Sequence, residues 1–241
     1  LIYGFAGVGQ AYSVVAVLSA FSLIFFYFIK KKPIPEQTKE ENIWQSLSSG
    51  IKFVFKNQII LSAISLDMFA VFFGGAVSVL PIFADQVLHT GAEGLGLLRA
   101  APAVGAIIMS LWQAHNPMFK YAGRNLLICV FGFGVSMIIF ALSKNFYLTL
   151  FILMLSGMFD NVSVVIRATI IQIYTPDEMR GRVSSVNGIF IGSSNELGSF
   201  ESGVAAKLMG LIPSVIFGGT MTLAVVAAVR SWAPKLRKLT M

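Results

Sequence analysis

Charge is what this chain has least of. Asp, Glu, Lys and Arg together make up 12% of its 241 residues, where an ordinary soluble domain carries roughly a quarter. Hydrophobic residues reach 56% and the mean hydropathy is +0.79. A chain so poor in charge has little with which to cover a water-facing surface, and the pattern reads as an integral membrane protein. The single cysteine, Cys129, excludes an intrachain disulfide. Only two histidines are present, His89 and His115, both near helix ends, which is too few clustered ligands for a metal centre. No GxxxxGK[ST] phosphate loop occurs, so neither ATP nor any other cofactor is called for. The net charge of +7 does not point to nucleic acid, because the basic residues recur at the ends of apolar runs instead of forming one patch.

What the chain does have is long apolar runs. A spanning helix needs roughly 20 mostly apolar residues. Seven such stretches are expected, at 10–29, 58–83, 94–112, 126–142, 146–173, 183–209 and 212–232. Seven spans put the two ends of the chain on opposite sides of a bilayer. Fourteen of the eighteen Lys and Arg then fall on one side, among them Lys30, Lys52, Lys120, Arg180, Arg230 and Lys238. Only Lys144 and Lys207 fall on the other, while Arg99 and Arg167 lie inside spans. The positive-inside rule makes the C-terminus cytoplasmic and Leu1 external. The chain starts in mid-pattern without a leader, which reads as part of a longer protein with further helices upstream.

The longest loop, 30–57, begins with KKKPIPEQTKEE, a charged and proline-broken linker, and continues into an amphipathic helix. Asn42 is its expected cap, with Gln45 three residues on. Trp44, Leu47, Ile51, Val54 and Phe55 share a face. That face suits either the inner leaflet or the cytoplasmic ends of the bundle, and the leaflet is slightly favoured.

Polar residues inside spans are costly unless they face protein or water, so they mark candidate sites. Asp67 lies near mid-depth of the second span, as a proton or solute site or as half of an ion pair. Asp160 and Arg167, two turns apart on the fifth span, share a face with Ser163. Each needs a partner elsewhere, and Arg167 is close enough to the cytoplasmic end to snorkel. Arg99 is shallow in the third span, followed by Pro102 and Gly105. The sixth span contains GIFIGSSNELGSFESG, residues 188–203, with Asn195, Glu196 and Glu201. A segment that polar walls off a solute pathway more readily than it faces lipid. Asp160 and Glu196 rank first among these candidates.

Small residues spaced by four suit close helix packing. Gly188 with Gly192, Ser194 with Gly198, and Ser199 with Gly203 fit that spacing, and Gly74 and Gly75 read the same way. Of the cytoplasmic loops, HNPMFKYAGRN and TPDEMRGRV each place Gly–Arg just before a span. In the second, Asp177 and Glu178 adjoin Arg180, Gly181 and Arg182, a set suited to ion pairs that break and remake as helices move.

Four blocks, DMFAVFFGGAVSVLPIFA (67–84), GLGLLRAAPAVGA (94–106), TPDEMRGRVSSVN (175–187) and GSSNELGSFESG (192–203), resemble the C-terminal half of major facilitator superfamily permeases. The nearest branch is the bacterial one of enterobactin-exporter and macrolide-efflux-like proteins. The resemblance implies an all-α integral membrane fold in the bacterial inner membrane. Residues 1–29 would end an N-terminal half, 30–57 link the halves, 58–233 form a six-helix half, and 234–241 form a basic tail. It further implies that the missing N-terminal half completes a central site, that a small organic solute is exported by alternating access, and that protons drive it. Asp67, Asp160 and Glu196 would carry protons or solute, with Arg99 and Arg167 restraining them or binding an anion. The family's Asp-Arg-x-Gly-Arg element is reduced to Ala-Gly-Arg at 122–124. A membrane scaffold and a lipid-modifying enzyme are the competing readings. The second lacks a cluster of catalytic His or Cys residues.

Overall fold

The computed structural model describes residue 2 and residues 7–29, 42–116 and 120–240. The charged half of the linker, 30–41, and residues 117–119 of the HNPMFKYAGRN loop lie outside them. The described residues form helices joined by short turns. In order these are α1 (Val8–Tyr27), α2 (Ile43–Lys56), α3 (Gln58–Phe73), α4 (Ala76–Gln86), α5 (Ala92–His115), α6 (Ala122–Leu142), α7 (Phe146–Tyr174), α8 (Arg180–Met209), α9 (Leu211–Trp232) and α10 (Pro234–Arg237).

Among the described residues six spans are long and apolar enough to cross a membrane: α1, the α3–α4 unit, α5, α6, α7 and α9. This is an all-α membrane architecture. The seventh expected span is present as α8, a 30-residue helix, but its Gly, Ser and carboxylate content keeps it outside that apolar set. It is held against the others by packing on α3, α9, α2 and α4.

Local sequence sets the helix ends. Asn57 opens α3, its Oδ1 accepting from the Ile59 and Ile60 amides at 3.1 and 3.3 Å. Asn145 does the same for α7 through Leu148 N–H at 3.1 Å. Asn42 caps α2 through Trp44 N–H at 3.2 Å, as its position suggests. Gly210, at φ 91°, turns the chain between α8 and α9 in a conformation that side chains disfavour.

Two buried clusters fill the bundle. One joins Leu66, Leu126, Val130, Ile166 and Val226 at the basic end. The other joins Leu80, Phe83, Leu98, Met137, Phe140 and Leu153 at the opposite end, with the Phe83 and Phe140 rings 4.4 Å apart. None of the residues of α1 is buried.

Three expectations change. The second span, read as one helix over 58–83, is broken at Gly74–Gly75. Each glycine weakens a helix by about 1 kcal/mol relative to alanine, and consecutive ones give the chain a place to stop and restart. The favoured inner-leaflet reading of α2 gives way to docking on the bundle. Val54 packs with Ile60, Ile64, Val183 and Val186, and buried Gly50 sits against the Arg182 backbone. Trp44 and Phe55, on the same apolar side by sequence, remain 75% and 59% exposed. The basic tail is also partly docked: Leu236 and Leu239 are buried beside Ala122 and Leu126, although Lys235, Arg237 and Lys238 are exposed.

Candidate functional site

Helix α7 carries a polar stripe along one face. Ser156, Asp160, Ser163 and Arg167 follow at steps of four, three and four residues, which is helical spacing. The stripe faces the bundle interior. Ser156, Ser163 and Arg167 are buried, while Asp160 is open to a cavity.

At the inner end of the stripe, Arg167 forms an ion pair with Asp67 of α3. Arg167 does not snorkel. It lies too far inside the bundle, and Asp67 meets it from the neighbouring helix, supplying the compensation that a buried charge requires. Of the two readings of Asp67, the ion pair with another helix is the one formed.

The cavity has a volume of about 360 Å³ and lies between the α3–α4 break and α5, α6, α7 and α8. Val71, Val77, Pro102, Phe133 and Met137 give it apolar walls. Ser78, Ser156, Asn195 and Ser199 add hydroxyl and amide groups, and among the described residues Asp160 is its only charged lining residue. A concave apolar pocket with a few convergent polar groups is the usual form of a small-molecule site.

Close backbone approaches shape it. A Cβ on Gly157 would run into the Pro102 carbonyl, and one on Gly105 into that of Met154, so α5 and α7 pack without side chains between them. Gly74 sits against Phe133, and Gly75 against Ser202 and the Gly198 carbonyl. Ser110 of α5 also donates to Asn161 of α7 at 3.2 Å.

A second space of about 10 Å³ is lined by both Asp67 and Asp160, together with Cys129, Phe159 and Ser163. It is close to the smallest space that admits one water. The buried Ser163 hydroxyl beside it has no hydrogen-bond partner among the described residues. The cavity carboxylate and the buried ion pair thus both border one small, mostly apolar gap.

Helix α8 divides into two faces. Ser194, Gly198 and Ser202 are buried, with Gly198 against the Phe72 backbone. On the other face, Gly188, Gly192 and Gly203 have nothing within 4 Å of where a Cβ would stand. Packing within the described residues therefore accounts for Gly198 and the Gly74–Gly75 pair, but not for these three. Asn195 and Ser199 border the cavity from the open side. Glu196 is exposed and Glu201 half-buried, and neither lines the cavity. Arg99 is exposed and also stands outside it.

At the basic end, Asp177 and Arg180 form an exposed ion pair at 3.0 Å. Glu178 and Gly181 are exposed. Arg182 turns to α2, its Nη1 donating to Ser49 Oγ at 3.1 Å and lying 3.7 Å from Met179 Sδ. Among the described residues no three His, Cys, Asp or Glu side chains gather as a metal site.

Ser78, Ser156 and Phe133 were not singled out by the sequence, and Ser199 was read only as a packing residue. Ser156 stands one turn before Asp160, and Ser199 one turn after Asn195, so helical spacing from the ranked residues would have found both. Nothing comparable points to Phe133 or to the Ser49–Arg182 contact.

A family model described as transmembrane secretion effector matches residues 1–240. The chain is 27% identical over 235 residues to the enterobactin exporter EntS of Shigella boydii serotype 18, covering 94% of this chain and 56% of that protein. It is 26% identical, with the same coverage, to the enterobactin exporter EntS of Escherichia coli O1:K1. The chain thus spans about half the length of the curated relatives it matches. No solved structure matches it.

Proposed function

Because this chain belongs to the transmembrane secretion effector family of the major facilitator superfamily, we propose that it forms the C-terminal half of a secondary exporter for a small organic molecule. The observation that carries the reading is the 360 Å³ apolar cavity with Asp160 as its single charge. Solute sits against the α3–α4 break and the polar stripe of α7, near the middle of the membrane. Discontinuous helices at such positions are a recurring feature of transporter binding sites.

The other half covers the open face of α8. Gly188, Gly192 and Gly203 stand there, and Leu197 and Phe200 of the same helix are exposed. Small residues let a second helix approach, and the exposed apolar side chains give it area to bury. The end bearing α2 and α10 faces the cytoplasm, as its Lys and Arg content directs. There the Arg182–Ser49 contact latches the linker helix to α8, beside the Asp177–Arg180 pair at the start of α8.

Coupling to protons rests on Asp160. It faces the cavity on one side and, across the gap at Ser163, the Asp67–Arg167 pair on the other. A proton taken up by Asp160 removes the cavity's charge and so changes its affinity for solute. The names of the relatives make enterobactin the first substrate to try, with other siderophore-like and drug-like molecules after it.

The test is efflux from cells carrying the full-length protein with Asp160→Asn or Glu196→Gln. Losing a charged hydrogen-bonding group from a binding site costs about 1.5–3 kcal/mol, or roughly tenfold or more in transport. Asp160→Asn is expected to show that loss at unchanged protein level, and Glu196→Gln a smaller one. Unchanged efflux in Asp160→Asn would sink the assignment.

A further inference from the structure

A second cavity, of about 310 Å³, lies at the basic end, well apart in the fold from the solute cavity. It opens between the α2–α3 junction, the end of α7 and α10. Lys56 and Lys235 line it with Asn57, Gln58, Tyr174 and Phe53, and among the described residues no carboxylate does. Neither lysine makes an ion pair among the described residues.

Two ammonium groups sharing one hollow repel each other, and an anion between them reverses the sign of that interaction. Their backbones are fixed. Lys56 is the last residue of α2, directly before the Asn57 that caps α3. Lys235 is anchored on α10 by its fully buried neighbour Leu236 and by buried Ala233. Gln58 Nε2 donates to the Trp232 carbonyl at 3.2 Å and ties the two sides of the cavity together. The positive end of α3 opens on the same space.

Its level in the membrane is marked by Tyr174 and the adjacent exposed Trp232. Such rings collect at the height of lipid headgroups, and basic hollows between spanning helices on the cytoplasmic side suit anionic headgroups.

We propose that the cavity of Lys56 and Lys235 binds a phosphate anion, supplied by the headgroup of an anionic phospholipid. The two lysines hold the phosphate oxygens, Tyr174 and Gln58 lie within the same wall, and Phe53 and Ile59 give the lipid's first carbons an apolar edge. The site joins linker helix, α3 and C-terminal α10, so its occupation fastens these three elements to one another. It is independent of what the solute cavity carries.

The experiment is native mass spectrometry of the full-length protein with equal amounts of phosphatidylglycerol and phosphatidylcholine. The wild type is expected to retain phosphatidylglycerol preferentially. Lys56→Gln/Lys235→Gln is expected to lose that preference by about tenfold or more, whereas Lys207→Gln, on the opposite end, keeps it. Lys56→Arg/Lys235→Arg preserves the charge and is expected to keep it too, which separates loss of charge from loss of fold. If the Gln pair cannot be purified, each single substitution is read instead, with roughly a threefold loss expected. Inorganic phosphate is added in a separate arm. Displacement of the lipid by millimolar phosphate, in wild type and not in the Gln pair, assigns the site to soluble phosphate and keeps its chemistry. A lipid preference unchanged by both lysine substitutions overturns the proposal.

Discussion

Asp67 and Arg167 meet inside the bundle, one from α3 and one from α7, with side chains only 8% and 7% exposed. Neither charge has water to fall back on. Removing one partner strands the other, which typically destabilises by about 3–5 kcal/mol. Asp67→Asn and Arg167→Gln are each expected to lower the thermal midpoint in detergent. The double substitution is expected to cost less than the sum of the two. A double-mutant cycle on the purified protein measures the difference, and strict additivity would contradict the pairing.

The two faces of α8 give a contrast within one helix. A Cβ at position 198 would stand 2.8 Å from the Phe72 carbonyl oxygen and 3.0 Å from its Cα, so backbone would have to move. Gly198→Ala is expected to cost about 1–3 kcal/mol. At position 192 a Cβ meets nothing within 4 Å in this chain. Gly192→Ala is expected to leave the stability of the isolated chain unchanged to within about 0.5 kcal/mol. Thermal unfolding of the two variants side by side checks both.

At Gly50 α2 packs directly on α8, and a Cβ there would sit 3.0 Å from the Arg182 carbonyl oxygen. Gly50→Val is expected to lift α2 from its seat. Trypsin should then reach Lys52 and Lys56 faster. A loss of docking of about 1.4 kcal/mol raises the open population, and with it the cleavage rate, about tenfold. Unchanged cleavage would mean that the contact does not hold the helix.

Leu236 is fully buried although it lies in the basic stretch after the last span. Leu236→Ala is expected to destabilise by about 2–5 kcal/mol. Exposed Lys238→Gln should stay within about 0.5 kcal/mol. Comparing their melting midpoints distinguishes a docked C-terminus from a free one.

Much of this was legible in the residues. Apolar run length placed the helices, because the bilayer's thickness fixes how long such a run must be. Helical spacing put Asp160, Ser163 and Arg167 on one face before any coordinates. Asparagine caps at 42 and the turn at Gly74–Gly75 were also written in local chemistry, though the second reads as packing until the break is seen. Pairing was not legible. That Arg167 meets Asp67, and not Asp160 or water, depends on how α3 lies against α7, which no single helix encodes. Asn195 and Glu196 show the same limit at finer grain. One residue turns a side chain by about 100°, enough to put the amide at the cavity's edge and the carboxylate away from it. Leu236 was hidden for a different reason: the lysines and arginine around it gave the segment a polar average.

The break between α3 and α4 has a consequence for how specificity can change. Gly74 and Gly75 bring main chain to the wall of the cavity proposed for solute, with the Gly74 N–H bonded to Ala70 and the Gly75 carbonyl to Ser78. Part of what a molecule bound there would touch is therefore main chain, which is common to all sequences and cannot be exchanged by substitution. Selection for new cargo would have to work on the side chains opposite, at Phe133, Met137, Asp160 and Asn195, while the peptide wall stays as a constant template.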